Sequence, residues 1–200
     1  MASPVDICNR ALGKLGAATI ISLEDDDPKA VALNVAYPIV RNAELRRRRW
    51  RFALARWSLP ADAESPSFGY ARSFTLPAGC LRVIQIGEYD LGPNMADYRV
   101  APTELWSIEG RKIYTNLSAP LKIRTIQEVT DTGLYDACFV EALASRLAYE
   151  CCYRITLSHE REDRCLRDYR MAIREAAFTN ALEVAPNEPT DDTWMMARLG

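Results

Sequence analysis

Histidine is almost missing from this 200-residue chain: His159 is the only one. That excludes a histidine-based catalytic triad and a three-histidine metal site within a single copy. A cysteine–histidine nucleophile would need Cys151, Cys152 or Cys165 to reach His159, and nothing in the sequence positions an oxyanion hole for it. The chain has no G-x-x-x-x-G-K-S/T and no G-x-G-x-x-G, so nucleotide cradling has no support. Its six cysteines (Cys8, Cys80, Cys138, Cys151, Cys152, Cys165) form no C-x-x-C pair. Four of them fall in helical patterns, where a thiol behaves as a small apolar group, and this predicts folding in a reduced cytosol. No apolar run approaches the roughly 20 residues that span a bilayer, and no secretory leader is expected ahead of the amphipathic opening. No internal repeat or low-complexity tract occurs. Lysine is scarce as well, with 4 against 21 arginines. That balance favours planar, bidentate pairing with carboxylates or phosphates. No catalytic, cofactor or metal residues are assigned, and no enzymatic activity is expected.

What is present is a soluble-domain composition, 48% apolar with a net charge of -2, enough for one buried core. The stretch Asp131–Thr156 organises the rest. Asp136 is placed to cap a helix. Phe139, Val140, Leu143, Leu147, Cys151 and Ile155 then recur at helical spacing, with Ala142, Ala144, Ser145 and Ala148 keeping the helix slim. Ser3-Pro4-Val5-Asp6 opens an earlier helix that Gly16 ends, with Val5, Cys8, Ala11, Leu12 and Leu15 as its stripe. Asp27-Pro28 starts a second, carrying Ala30, Leu33, Tyr37 and Val40 towards Trp50, with Pro38 expected to kink or split it. Ser158 and Glu160–Asp163 start a last one, with Cys165 or Leu166, then Tyr169, Ile173, Ala176 and Ala177, out to about Leu182.

Between these helices, from Leu59-Pro60 to about Thr130, the periods shorten and turn residues multiply. Arg72–Leu76, Leu81–Ile86, Trp106–Ile108 with Lys112–Tyr114, and Leu121–Val129 read as four to six antiparallel strands. The fold class is α+β: a helical bundle of about four helices with an inserted small antiparallel β domain. The divisions are 1–58 for the N-terminal helices, 59–130 for the β insertion, 131–185 for the C-terminal helical hairpin and 186–200 for a tail. Bundling the helices would leave the β part as a protrusion.

Charge is uneven. Arg46, Arg47, Arg48 and Arg49, with Arg41, Arg51 and Arg56, face only Glu44, whereas Glu24 to Asp27, including Asp25 and Asp26, is acidic. The arginines point all round a helix, so salt bridges to a neighbouring subunit, contact with DNA or RNA, and a solvated helix end are the alternatives. Consecutive aspartates rarely converge on one ion, so Asp25–Asp27 reads as a capping run. Trp50, Phe52 and Trp57 could stack on bases, but core anchoring is the favoured reading. Trp194, Met195 and Met196, on an acidic tail isolated by Pro186 and Pro189, suit docking into a partner's groove.

Taken in order, several short motifs resemble the tail tubular protein A family of short-tailed bacteriophages, the adaptor of the head–tail connector. They are Ile7-Cys8-Asn9-Arg10-Ala11-Leu12 with Leu15-Gly16; Tyr37 and Val40-Arg41-Asn42-Ala43 with Leu45; and Trp50-Arg51-Phe52-Ala53 with Arg56. Tyr70, Leu76-Pro77-Ala78-Gly79-Cys80-Leu81-Arg82-Val83, Val129-Thr130-Asp131, Tyr135-Asp136, Phe139 to Ala144 and Leu147-Ala148 follow, with Trp194 and Ala197-Arg198 near the end. The Arg46–Arg49 run is longer than the family usually carries. The resemblance implies a ring, usually of twelve copies, beneath the portal protein and above the tail nozzle (tail tubular protein B). Its β part would face the nozzle and often the tail fibres, and genomic DNA would pass through the channel without sequence-specific binding. On that reading Arg46–Arg49, Asp25 and Asp26 form the subunit interface, and Trp194, Met195, Met196 and Arg198 dock to the portal. The protein would be made in the bacterial host cytoplasm and reside in the virion. A different class, a DNA-binding accessory protein using Arg46–Arg56, is the alternative, and a wall-degrading virion enzyme is a third.

Overall fold

The computed structural model describes residues 2–91 and 105–182. Helix α1 (Pro4–Leu15) starts on a closed capping box, in which the Asp6 amide donates to Ser3 Oγ and the Ser3 amide donates to Asp6. It ends on Gly16 at φ 68°, a left-handed turn that glycine enters without steric penalty. Ile7, Cys8, Ala11, Leu12 and Leu15 are buried; Val5, expected in the stripe, is half-buried and Ile7 takes the inner position. The Asn9 amide then pins the following loop, donating to the Ile20 carbonyl at 2.9 Å and accepting from its N–H at 2.8 Å.

Helix α2 (Pro28–Arg47) is capped by Asp27 and buries Ala30, Leu33, Tyr37 and Val40 as the spacing predicted. It runs unbroken through Pro38, whose ring lies on the exposed side, so the helix is not split. It stops short of Trp50, after which a single 3-10 turn (Arg51–Ala53) leads directly into a strand. Helices α3 (Ala137–Thr156) and α4 (His159–Leu182) form the C-terminal hairpin. The slim helix α3 is the hub, packing against α1, α2 and α4. Its Phe139 ring lies 4.9 to 5.1 Å from Trp50, Phe52 and Tyr135, an edge-to-face cluster that ties the hub to the end of α2.

Among the described residues the β region holds seven strands in two sheets. Strands β1 (Leu54–Leu59), β3 (Cys80–Ile86), β4 (Tyr89–Asp90) and β7 (Leu121–Gln127) pair in the order β1-β7-β3-β4. Strands β2 (Arg72–Thr75), β5 (Trp106–Glu109) and β6 (Lys112–Thr115) pair as β2-β6-β5. All pairings are antiparallel. Phe74 and Ile113 of the small sheet meet Leu59, Val83, Ile86, Leu121 and Ile123 of the large one in a core of their own. Ile84 and Ile126, on the opposite face of the large sheet, belong instead to the helical core with Trp50 and Phe139. The β part is therefore joined to the bundle through its larger sheet. Strand pairing begins at Leu54, ahead of the composition change at Leu59-Pro60.

Candidate functional site

The arginine run is largely engaged within the chain. Arg46 donates to the Leu81 carbonyl, Arg47 donates to the Tyr169 hydroxyl at 2.6 Å, and Arg49 makes a paired contact with the Asp90 carboxylate on β4. Arg48 has its Nε buried with no partner among the described residues. Each guanidinium has five donors, so Arg46 and Arg47 keep some free. Together with Arg82 and Arg146 they border a cleft of about 520 Å³ around Glu44.

Glu44 is 3% exposed, a buried carboxylate on a helix that otherwise reads as solvated there. Its Oε1 accepts from Tyr169 at 2.7 Å, with Arg47 Nη1 3.9 Å away, while Oε2 has no partner among the described residues. Burial first, then the hydrogen bond to Glu44 and its charge, push the Tyr169 phenol up to about 12. The Trp50 indole donates to the Glu44 carbonyl at 2.8 Å. This network locks the end of α2 onto α4.

The expected acidic partners sit elsewhere. Asp25 accepts from the Ile21 and Ser22 amides at 3.0 Å each, and Asp27 caps α2, which leaves Asp26 exposed at the loop surface. Helix α2 has 20 residues. It therefore separates this loop from the arginine run by about 30 Å. Within one copy the two patches do not meet. Both also suit their ends of the helix dipole, acid at the N-terminus and base at the C-terminus.

A second positive cluster lies on the large sheet and draws Arg56 away from the arginine run. In the β1–β7 register Arg56 stands directly opposite Arg124, and Ser58 opposite Lys122. Gln85 flanks Arg124 from β3, and Asp90 flanks Gln85 from β4. Near the bundle this sheet face is covered at Leu54, Ile84 and Ile126; beyond it opens into a cleft of about 570 Å³ that Arg56, Ser58, Gln85, Lys122 and Arg124 line. Burial, then the positive charges of Arg56 and Arg51, pull the Arg124 guanidinium below its ordinary range. Lys122 and Arg124 could have been read as one face from the alternation of β7, but their partner strand could not.

Of the three aromatics near the run, Trp50 is fully buried and Phe52 half-buried, while Trp57 is 38% exposed with its indole bound to Thr125 Oγ1 at 3.1 Å. Trp57 thus turns to the sheet face opposite Arg56. The thiols are desolvated: burial pushes Cys8 up to about 12 and Cys151 to about 11. His159 is exposed, 3.1 Å from Glu162 and stacked on Tyr153, away from any thiol. Among the described residues no group of three His, Cys, Asp or Glu side chains converges as a metal site, and no helix is long and apolar enough to cross a membrane. Trp194, Met195, Met196 and Arg198 lie outside the described residues.

The architecture is that of an α+β protein whose most distinctive polar features are two arginine-lined clefts, one where α2 and α3 meet β3 and one on the open half of the large sheet. Compared with known proteins, the chain matches no family model and no curated sequence.

Proposed function

We propose that this chain is a structural adaptor of a phage head–tail connector. It assembles as a closed ring, in the virion, between a portal protein and a tail nozzle, beside the tail fibres, and leaves a channel for genomic DNA. It carries out no catalysis. The ordered motif resemblance supplies the particular identity.

One structural observation favours self-assembly: two apolar stripes stand uncovered on different helices. Val31, Val35 and Ile39 recur at four-residue steps on α2 and are 45% to 66% exposed. Met171, Phe178 and Leu182 on α4 are 67% to 69% exposed. Contiguous exposed apolar surface marks an interaction site. Two unlike stripes on one chain suit a head-to-tail contact, the kind that closes rings. The separated acidic and basic ends of α2 would then find their complements on neighbouring copies. The test is the mass of the purified protein alone and mixed with its portal protein. A ring, or a portal-bound ring, is expected; a lone monomer that ignores the portal at every salt concentration would overturn the proposal.

A further inference from the structure

The open half of the large sheet carries more positive charge than the fold uses. Arg56 and Arg124 are directly opposed across β1 and β7, an arrangement that is unfavourable between like charges. Lys122 lies two residues from Arg124 on the same face, about 7 Å along the strand. Arg49, two residues beyond α2, reaches the edge of this face through Asp90 on β4, and Arg51 follows it on the 3-10 turn that leads into β1. The nearest acid, Asp90, is already held by both terminal nitrogens of Arg49. Arg124 makes one long hydrogen bond, 3.3 Å to the Gln85 amide oxygen, and its Nε has no partner among the described residues. Repelling groups held side by side, with unspent donors and a cleft of about 570 Å³ in front of them, form a site that a multivalent anion completes.

We infer that this sheet face, built from Arg56, Lys122 and Arg124 with Arg49 and Arg51 at its edge, binds the phosphate backbone of a nucleic acid. Every residue of a nucleic-acid strand carries a phosphate charge, about one per 3.4 Å of helix axis, so successive phosphates can serve neighbouring cations. Guanidinium groups match phosphate oxygens bidentately. The bases are not read. Trp57 also borders the cleft, but its indole N–H is tied to Thr125 on the other face and leaves no donor for a base edge. Binding is therefore sequence-independent and held by charge. The site is argued from this cleft alone and does not depend on ring formation.

The test uses the full chain and a labelled duplex of about 30 base pairs, followed by fluorescence anisotropy from about 50 mM salt upward. Wild type is expected to bind two unrelated sequences equally, with affinity falling steeply as salt rises. The Arg56→Gln/Arg124→Gln variant is expected to lower the slope of log affinity against log salt by about two, at ~0.9 for each lost phosphate contact. It should melt at or above the wild-type temperature, since it removes a repulsion. Arg167→Gln/Arg174→Gln, which removes the same charge from the exposed side of α4, should bind as wild type does. No binding at low salt, an unchanged slope in the sheet variant, or an equal loss in the α4 variant would each overturn the inference. So would polyglutamate displacing the duplex at equal charge concentration, which would assign the face to an acidic protein segment instead. Ring assembly is read separately, by mass, so the failure of one idea leaves the other intact.

Discussion

Asp90 shows how single charged residues join the two halves of this molecule. It sits on β4, but its carboxylate is held by Arg49, at the end of the helical segment, so the pair bridges bundle and sheet. Hydrogen bonding to Arg49 is the main reason the Asp90 carboxyl titrates below its ordinary range; the charges of Arg49 and Arg124 add to it, and burial opposes. A carboxyl depressed in the folded state stabilises at any pH above its unfolded pKa, about 3.9, and that contribution is lost as pH falls through the folded value. The side chain is 55% exposed, so the effect is the modest one of a solvated pair. Asp90→Asn is expected to cost about 0.5 kcal/mol at neutral pH and nothing below the carboxylate range. Urea titrations at a series of pH values check this. A cost that persists unchanged into acid would mean that shape rather than charge is lost.

At the scale of elements, α3 works because it is thin. Ala142, Ala144, Ser145 and Ala148 are 0% to 1% exposed, so α3 is packed on more than its large-residue stripe and three helices can share it. Ala148→Leu adds volume where the backbones are close, and is expected to cost about 1–3 kcal/mol through strain. A shift of the urea midpoint without a change of slope would report that loss; wild-type stability would show that the seam has room. This helix was legible from sequence because its period, cap and small residues all agree, and the same holds for α1, for the start of α2 and for β7. Strand β1 was not. Leu54 to Trp57 continues the arginine–aromatic pattern of the preceding segment, and only its pairing with the distant β7 makes it a strand. For the same reason the facing of Arg56 and Arg124 is a product of register, which no local pattern encodes. The sequence marks Glu44 only as the one acid among the arginines, because Tyr169, which binds its carboxylate, comes from a remote part of the chain.

At the scale of the whole molecule, the question is how copies meet. If Val35 and Ile39 on α2 contact a different patch on the next copy, each subunit has one donor face and one acceptor face. A closed ring then follows when the rotation between neighbours divides a full turn. The stripe of Met171, Phe178 and Leu182 on α4 is a second exposed apolar row, and it is the expected counterpart. Two variants separate this arrangement from a two-fold contact of α2 with α2. Val35→Glu/Ile39→Glu disables the first face, and Met171→Glu/Phe178→Glu the second. Since all four positions are exposed, both variants should fold with wild-type circular dichroism. Alone, each is expected to remain monomeric. Mixed in equal amounts, they retain one intact pair of faces between them, so a one-to-one heterodimer should form and growth should stop there. Native mass measurement distinguishes the outcomes. If the α4 variant assembles as wild type does, the contact does not use α4; if both assemble, neither stripe joins copies, and ring closure would have to rest on the charged ends of α2.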